Sequence, residues 1–499
     1  MLLRQGETCF RVARADRAAL LIDMACYFEA AKVAMQAAKR SIHLLNWAFE
    51  QDTFFHPGPD GTGDDADRFG NFLKALAEAN HDLDVRILCW DSAMPVAATQ
   101  RFFPFADRKA FAGSRVKFKL DNKLPMGACH HQKMIVIDDQ IAFCGGGDIG
   151  PDRWDTTAHL DDDPRRVKTR RDNKDYDSRH EVMGIVDGEA AAMLSEVFRD
   201  RWRRGVGETL EPCRLTTPPA WPTCVTPDFE KISVGAARTH AAWRGHPEVR
   251  EVEALHVASI RAAKHTIYME NQYFTSPLVA EALATRLREA DGPEVVLIST
   301  QHSPSYFDQA TMDKTRFDFI SHLKAADPHH RFQAYSPVTT LGLTIIVHAK
   351  LTIIDDGLLR IGSANINNRS MGFDTECDLV LEASGDTEAA SRRRIQTLRT
   401  ELLAHWLGCS HDIIDGALKA QAGRVTLALE ALRNGGYTRL RPIVAGEMNP
   451  VSALVSKHHV GDPVAASDAW KPWRRSRALR DNLAGFGFDP VQAKLVPQR

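Results

Sequence analysis

Apolar positions along this chain switch between helical and strand periods, and the order of the switches occurs twice. In the first half, Ala18–Ala38 has helical spacing and Ser41–Phe49 reads as a strand. Val85–Trp90 and Val116–Leu120 are short β-rich runs, Met134–Cys144 is a hairpin turning at Asp138–Gln140, and Val182–Val186 is a further strand. A helix from about Glu189 to Arg203 then stops near Gly205. The second half repeats this order. Val252–Ala263 is helical, Thr266–Phe274 and Glu294–Ser299 are strands, Leu351–Ile361 is a hairpin and Cys377–Glu382 a strand. A helix from Asp386 to Trp406 ends at Gly408. Each half closes on a helix with a late Trp (Trp202, Trp406) just before a Gly, a place that suits core packing. The pattern predicts an α/β fold of two pseudo-equivalent domains with mixed β-sheets flanked by helices. They span residues 18–211 and 228–410, joined by a Pro-rich linker at 212–227, with a C-terminal helical extension and tail over 411–499. Packed face to face, the domains form a single active site at their interface.

The two hairpins carry the same polar pattern. His131-Gln132-Lys133 precedes an apolar run, Met134–Ile137, that ends in Asp138-Asp139. His348-Ala349-Lys350 precedes Leu351–Ile354 and Asp355-Asp356. Small-residue loops follow, Cys144-Gly145-Gly146-Gly147-Asp148 and Gly362-Ser363-Ala364-Asn365. On an extended backbone, residues two apart share a face, so His131 lies beside Lys133 and His348 beside Lys350. Two imidazoles and two ammonium groups from duplicated units are what one symmetric phosphodiester site needs. The bland alternative makes both histidines strand-edge surface residues; matched flanks in both copies weigh against it. A zinc site at His130 and His131 fails because adjacent strand residues point to opposite faces.

Composition narrows the classes further. Apolar residues make up 44% and charged residues 26% of 499, ordinary for a globular enzyme. A net charge of −2 gives no whole-chain attraction to nucleic acid or anionic membrane, so any such contact must be local. The cysteines (9, 26, 89, 129, 144, 213, 224, 377, 409) lack metal-ligand spacing and read as reduced thiols. Met1–Arg17 has no apolar core of a Sec-type signal, and no run reaches the 18 apolar residues of a membrane span. The expectation is a cytoplasmic or peripheral membrane protein, with signal-independent export left open.

The two motifs resemble those of the phospholipase D superfamily, over roughly residues 18 to 410. His130-His131-Gln132-Lys133 with Gly146-Gly147-Asp148 and Arg153-Trp154-Asp155 is similar to the first motif of eukaryotic-type phospholipases D. Ile361–Ser370 is similar to their second motif, and Glu270-Asn271-Gln272-Tyr273-Phe274 to a segment beside their site. Cardiolipin synthases and nuclease-like members usually carry Asn where this chain has Asp148. The resemblance implies hydrolysis of the distal phosphodiester of glycerophospholipids at a membrane surface, with alcohols as alternative acceptors. A cardiolipin synthase-like phosphatidyltransferase and a nuclease are the competing readings. The absence of an extended basic patch weighs against a nucleic-acid partner. The intact His, Lys and Asn set weighs against a catalytically dead scaffold.

The chemistry follows from the side chains. Lys133 and Lys350 supply fixed positive charge to the equatorial oxygens and Asn365 a hydrogen bond. With imidazole near its working range, one histidine is neutral and attacks phosphorus while the other is protonated and donates to the leaving alcohol. The motifs are too symmetric to assign the roles; the resemblance points to His131 as nucleophile and His348 as acid. Glu376 resembles the family's orienting carboxylate. Glu181, in Arg179-His180-Glu181, resembles its first-half counterpart, with Asp163 as runner-up. Asp148, Ser363 and Gln272 are expected to bind substrate. Asp138 and Asp355 fall on the opposite alternation and are expected to shape the turns. No cofactor is expected, and no metal, because the lysines neutralise the phosphate. Between Asp161 and Asp175 an insertion bearing Arg165, Arg166, Lys168, Arg170 and Arg171 reads as a solvated loop or a headgroup-binding lid. Trp470–Arg477 mixes indoles and cations, which suits a membrane interface or docking onto the protein's own body.

Overall fold

A computed structural model describes residues 1–92, 104–166, 176–215, 217–305, 308–444, 455, 458–491, 493, 495 and 496. The first-half strands are β1 (Arg11–Ile22), β2 (Ser41–Asn46), β3 (Asp84–Trp90), β4 (Lys117–Asp121), β5 (Met134–Ile137), β6 (Ile141–Gly145), β7 (Arg179–His180) and β8 (Val182–Asp187). The second half supplies β9 (Phe229–His240), β10 (Val249–Arg250), β11 (Thr266–Glu270), β12 (Glu294–Ile298), β13 (Phe332–Pro337), β14 (Ile346–Val347), β15 (Leu351–Ile354), β16 (Leu358–Gly362) and β17 (Glu376–Glu382). The extension adds β18 (Leu440–Pro442).

One sheet runs through both halves in the order β18-β13-β12-β11-β15-β16-β17-β9-β1-β8-β6-β5-β2-β3-β4. Its centre is the antiparallel seam β9–β1, where Arg11 stands opposite Ala236 and Ala18 opposite Phe229. Reading outward from the seam gives the same sequence of roles on each side: a long central strand, then β17 or β8, a hairpin, and three parallel strands. The sheet also folds onto itself, so that β6 packs against β17 and β8 against β16. Apolar residues of both halves meet there, among them Cys144, Val182, Ile361 and Leu379, all buried. The expected halves therefore pack face to face, and in addition share strand pairing along one edge.

Local chemistry accounts for the elements that place the site. At the hairpin tips Asp138 and Asp139 (φ 55° and 56°) and Asp355 and Asp356 (φ 50° and 51°) adopt the left-handed conformation that Asp tolerates. The Asp138 carboxylate accepts the backbone N–H groups of Lys39, Arg40 and Ser41, each at 2.7 Å. Asp355 does the same for Lys264, His265 and Thr266 at 2.6, 2.7 and 2.9 Å. Each motif aspartate thus ties its hairpin to the start of a neighbouring strand. Helix Gly188–Val206 ends on left-handed Gly207 and helix Glu388–Leu407 on left-handed Gly408. Trp202 and Trp406 are fully buried.

The structure departs from the sequence reading in several places. Residues 18–22 belong to β1 rather than to a helix, and the helix is Met24–Gln36. The second central strand, β9, is absent from the sequence reading. Its residues, like those of β1, are small or charged at alternating places and pair on both edges. The linker lies against the first half, with the Gln140 amide donating to the Thr217 carbonyl at 2.7 Å and Arg17 over the Trp221 ring at 4.9 Å. The tail contains a helix, Pro472–Gly485. Lys168, Arg170 and Arg171 of the insertion lie outside the described residues. Among those described, no helix is long and apolar enough to cross a membrane.

Candidate active site

The ends of the two halves cross at the site. Ahead of the second motif, β14 pairs in parallel with β7 of the first half, and the His348 N–H donates to the His180 carbonyl at 2.9 Å. Ahead of the first, the His131 N–H donates to the Thr375 carbonyl of the second half at 2.9 Å. This exchange hands each histidine a carboxylate from the opposite half. His131 Nδ1 lies 3.0 and 3.1 Å from the two Glu376 oxygens. His348 Nδ1 bonds the Glu181 carboxylate. With Nδ1 engaged, Nε2 is the nitrogen left for chemistry on both rings.

The lysines lie beneath their own histidines. Lys133 Nζ donates to the His131 carbonyl at 2.8 Å and stands 3.4 Å from Asp148 Oδ2; Lys350 Nζ donates to the His348 carbonyl. The two motifs touch at Gly146, where a Cβ would come 2.9 Å from Lys350 Cδ and collide with the Glu181 carboxylate. Only a residue without a side chain allows that approach.

Burial and like charge push the groups toward neutrality. Burial raises Glu376 to about 8 and Glu181 to about 7, against the pull of Lys133 on the first and Lys350 on the second. Both imidazoles fall well below the usual range, chiefly by burial. Lys133 and Lys350 add to this at His131, and Lys350, Arg179 and Arg153 at His348. Lys350 itself is lowered to about 7 by burial and by Lys133. Four cations, Lys133, Lys350, Arg153 and Arg179, thus act on the site while burial holds Glu376 and Glu181 toward neutrality, a field that a phosphodiester would relieve.

Several expected substrate contacts have other duties. Asp148 is 2% exposed, and its Oδ1 accepts the N–H groups of Trp47 and Ala48 at 3.0 Å each, so it holds Lys133 and a loop rather than facing a ligand. Ser363 is fully buried and commits its hydroxyl proton to Glu376 Oε2 at 2.5 Å. Gln272 is buried, and the bonds its backbone carbonyl accepts from Ser299 Oγ at 3.2 Å and from Arg316 at 3.1 Å fix its main chain and leave the role of its side chain as expected. The runner-up Asp163 pairs with Arg165 at 2.6 Å and makes no bond to either histidine. Asn365 is 5% exposed, and its Oδ1 has no partner among the described residues. Asp138 and Asp355 sit in the hairpin tips.

Two cations entered the sequence reading only as members of motifs, with no role of their own. Arg153 and Arg179 are both close enough to depress His348, and burial lowers Arg179 to about 10. Arg179 Nε is buried without a hydrogen-bond partner among the described residues. Its place directly before His180-Glu181 was the available signal. His130 is turned away from the site, bonding Thr375 Oγ1 at 3.1 Å and lying 3.2 Å from Asp121. The tail segment docks on the body: the Trp470 indole N–H donates to the Met126 carbonyl at 2.7 Å, while Trp473 remains 75% exposed.

Known proteins are similar to this chain. Residues 257–400 match the family model described as cardiolipin synthase, PLD-like domain. Phospholipase D A of Dictyostelium discoideum is 24% identical over 449 residues, covering 77% of this chain and 33% of that protein. Cardiolipin synthase A of Cronobacter sakazakii is 27% identical over 361 residues, covering 70% of this chain and 64% of that one. The chain spans about a third of the length of the Dictyostelium protein. A solved structure titled phosphatidylserine synthase, from Haemophilus influenzae Rd KW20, superposes with a TM-score of 0.54 at 14% identity, covering 90% of this chain and 94% of the other. That last likeness is one of fold. By its duplicated motif and by these relatives, the chain is similar to the phospholipase D superfamily, the family model matching within its second half.

Proposed function

We propose that this chain is a phosphodiesterase of the phospholipase D type, cleaving the distal phosphodiester of glycerophospholipids to phosphatidic acid and the headgroup alcohol. The observation that carries the reading is the crossed pairing of His131 with Glu376 and His348 with Glu181. In the first step the neutral Nε2 of His131 forms a bond to phosphorus and the bond to the headgroup oxygen breaks. His348 gives its Nε2 proton to that oxygen. In the second step His348 takes a proton from water, the water oxygen bonds phosphorus, and the P–N bond breaks. Two displacements retain configuration at phosphorus. Lys133, Lys350 and Asn365 face the charge that develops on the equatorial oxygens, with Arg153 and Arg179 behind them. An incoming phosphate anion offsets the cationic field and so favours transfer of a proton from Glu181 to His348.

An alcohol in place of water gives transphosphatidylation. The family model matched and the extent of the cardiolipin synthase A relative favour a second reading, in which the acceptor is a lipid alcohol. The membrane is the substrate's setting, and the exposed Trp473 beside Lys471 and Arg474 suits its interface. Glycerophospholipid vesicles of defined headgroup, assayed with and without butanol, test the proposal. Headgroup release should persist in butanol while phosphatidylbutanol replaces phosphatidic acid in proportion to the alcohol. Headgroup release without any alcohol product, across a wide range of butanol, would point to direct attack by water.

A further inference from the structure

Behind Glu181 lies a second group of side chains that the reaction does not use. Asp23, at the start of helix Met24–Gln36, meets His159, His180 of β7 and His405 near the end of helix Glu388–Leu407. One ligand atom from each lies within 4.8 Å of all the others. His159 Nε2 is 3.2 Å from His405 Nε2 and 3.5 Å from Asp23 Oδ2, and His180 Nδ1 is 2.9 Å from Asp23 Oδ1. Two imidazole nitrogens turned toward each other can share at most one proton, and Asp23 Oδ2 is buried with no hydrogen-bond partner among the described residues.

We propose that Asp23, His159, His180 and His405 form a structural zinc(II) site. Zinc–nitrogen bonds of 2.0–2.1 Å in a tetrahedron set ligand atoms about 3.3 Å apart. That is close to the 3.2 and 3.5 Å that separate His159 Nε2 from His405 Nε2 and Asp23 Oδ2, with all four ligand atoms within 4.8 Å of one another. Three imidazoles and a carboxylate suit zinc over the oxygen-seeking calcium and magnesium. The surroundings are those of a metal centre. His159 Nδ1 lies 2.9 Å from Asp155 Oδ2, and His180 Nε2 lies 2.9 Å from Glu270 Oε2. His159 and His180 thereby each have a carboxylate for the remaining N–H, which fixes the tautomer that presents the other nitrogen to the metal. All four ligand positions come from protein, so the site is closed and structural rather than catalytic.

The consequence is positional. Asp23 Oδ1 also accepts the Glu181 N–H at 3.1 Å, and the Asp23 N–H donates to the Glu181 carbonyl at 2.8 Å. Zinc would pin segments of both halves one residue away from the carboxylate that holds His348. The inference stands apart from the reaction proposed above, and its failure would leave the two-histidine site untouched.

The full chain, expressed with added zinc and purified without chelator, should carry one zinc ion per molecule by elemental mass spectrometry. Replacing zinc by cobalt(II) should give the intense visible d–d absorption of a tetrahedral site. His405→Gln and His159→Gln should each retain below about a tenth of the wild-type zinc, whereas His302→Gln, an exposed control, should retain it all. Stripping zinc with a strong chelator should lower the wild-type melting temperature, and readdition should restore it. The cobalt spectrum needs only the wild-type chain, so a misfolded variant does not blunt the test. Wild-type protein that binds neither zinc nor cobalt when reconstituted would make the cluster a proton-held network and overturn the proposal; so would variants that keep their zinc.

Discussion

In the glycine-rich turn of the first motif Gly146 leaves room for Glu181 and Lys350, whereas the turn of the second carries Ser363, whose hydroxyl grips Glu376. Glu376 is therefore anchored twice, by His131 through both oxygens and by Ser363 through one. Glu181 keeps an oxygen, Oε1, without a partner among the described residues. Two units of one ancestry-like pattern thus end as one firmly oriented histidine and one held by a single bond. A nucleophile gains from fixed aim, and an acid–base group from a proton that moves easily along its hydrogen bond. The asymmetry supports His131 as the attacking group.

The largest test of that contrast removes the rings. His131→Ala and His348→Ala should each lower turnover on the order of ten-thousandfold, with folding unchanged by circular dichroism. Their difference lies in the covalent step. Quenching at high pH, where a phosphoramidate survives, should recover labelled phosphatidyl on the peptide containing His131 in wild type. Label on the His348 peptide would reverse the roles. Glu376→Gln and Glu181→Gln should each cost on the order of a thousandfold, because an amide cannot hold the productive tautomer. Glu181→Gln, which impairs the base of the second step, should accumulate phosphohistidine more than Glu376→Gln does.

Smaller effects sharpen the same comparison. Ser363→Ala should reduce kcat/KM by about 10- to 100-fold, the value of one hydrogen bond to a charged group. Giving the first motif a matching serine, Gly146→Ser, should be far worse, since the new side chain collides with Glu181. The smallest shift is in pH. Glu376 is raised to about 8, so below that pH the His131–Glu376 pair carries an extra proton that blocks Nε2. The kcat/KM profile should be a bell with its maximum between about 7 and 8, the alkaline limb set by loss of the Glu181 and Lys350 protons and the acid-side bend by Glu376. The Ser363 hydroxyl lowers the Glu376 carboxyl, so Ser363→Ala should move that bend to higher pH. A profile flat from pH 6 to 9 would remove Glu376 from the titration.

Much of this was legible in the chain because it is local. The hairpins, the His–Lys spacing and the Gly408 helix stop depend on backbone alternation and turn chemistry within a few residues. What stayed hidden is tertiary. Glu181 and Glu376 could be singled out, but nothing in their neighbourhoods says that each serves the histidine of the other half. Asp148 and Ser363 read as ligand contacts because their polarity is visible and their burial is not. Asp23, His159, His180 and His405 share no spacing at all, and only the convergence of four separate segments makes them neighbours. Strands β1 and β9 lack a clean apolar alternation because both edges and both faces of the seam are shared.

That seam also sets a timetable for synthesis. Strand β1 leaves the ribosome well before its partners, Val182–Val186 and Phe229–Ala236, are made. At about 5–20 residues per second the nascent strand waits on the order of ten seconds or more for its second neighbour. His131 waits longer still, since Glu376 is made last of the set. A chain stalled before Glu376 holds every residue of its first motif and none of the carboxylate that aims it, so the site is complete only once β17 has been made.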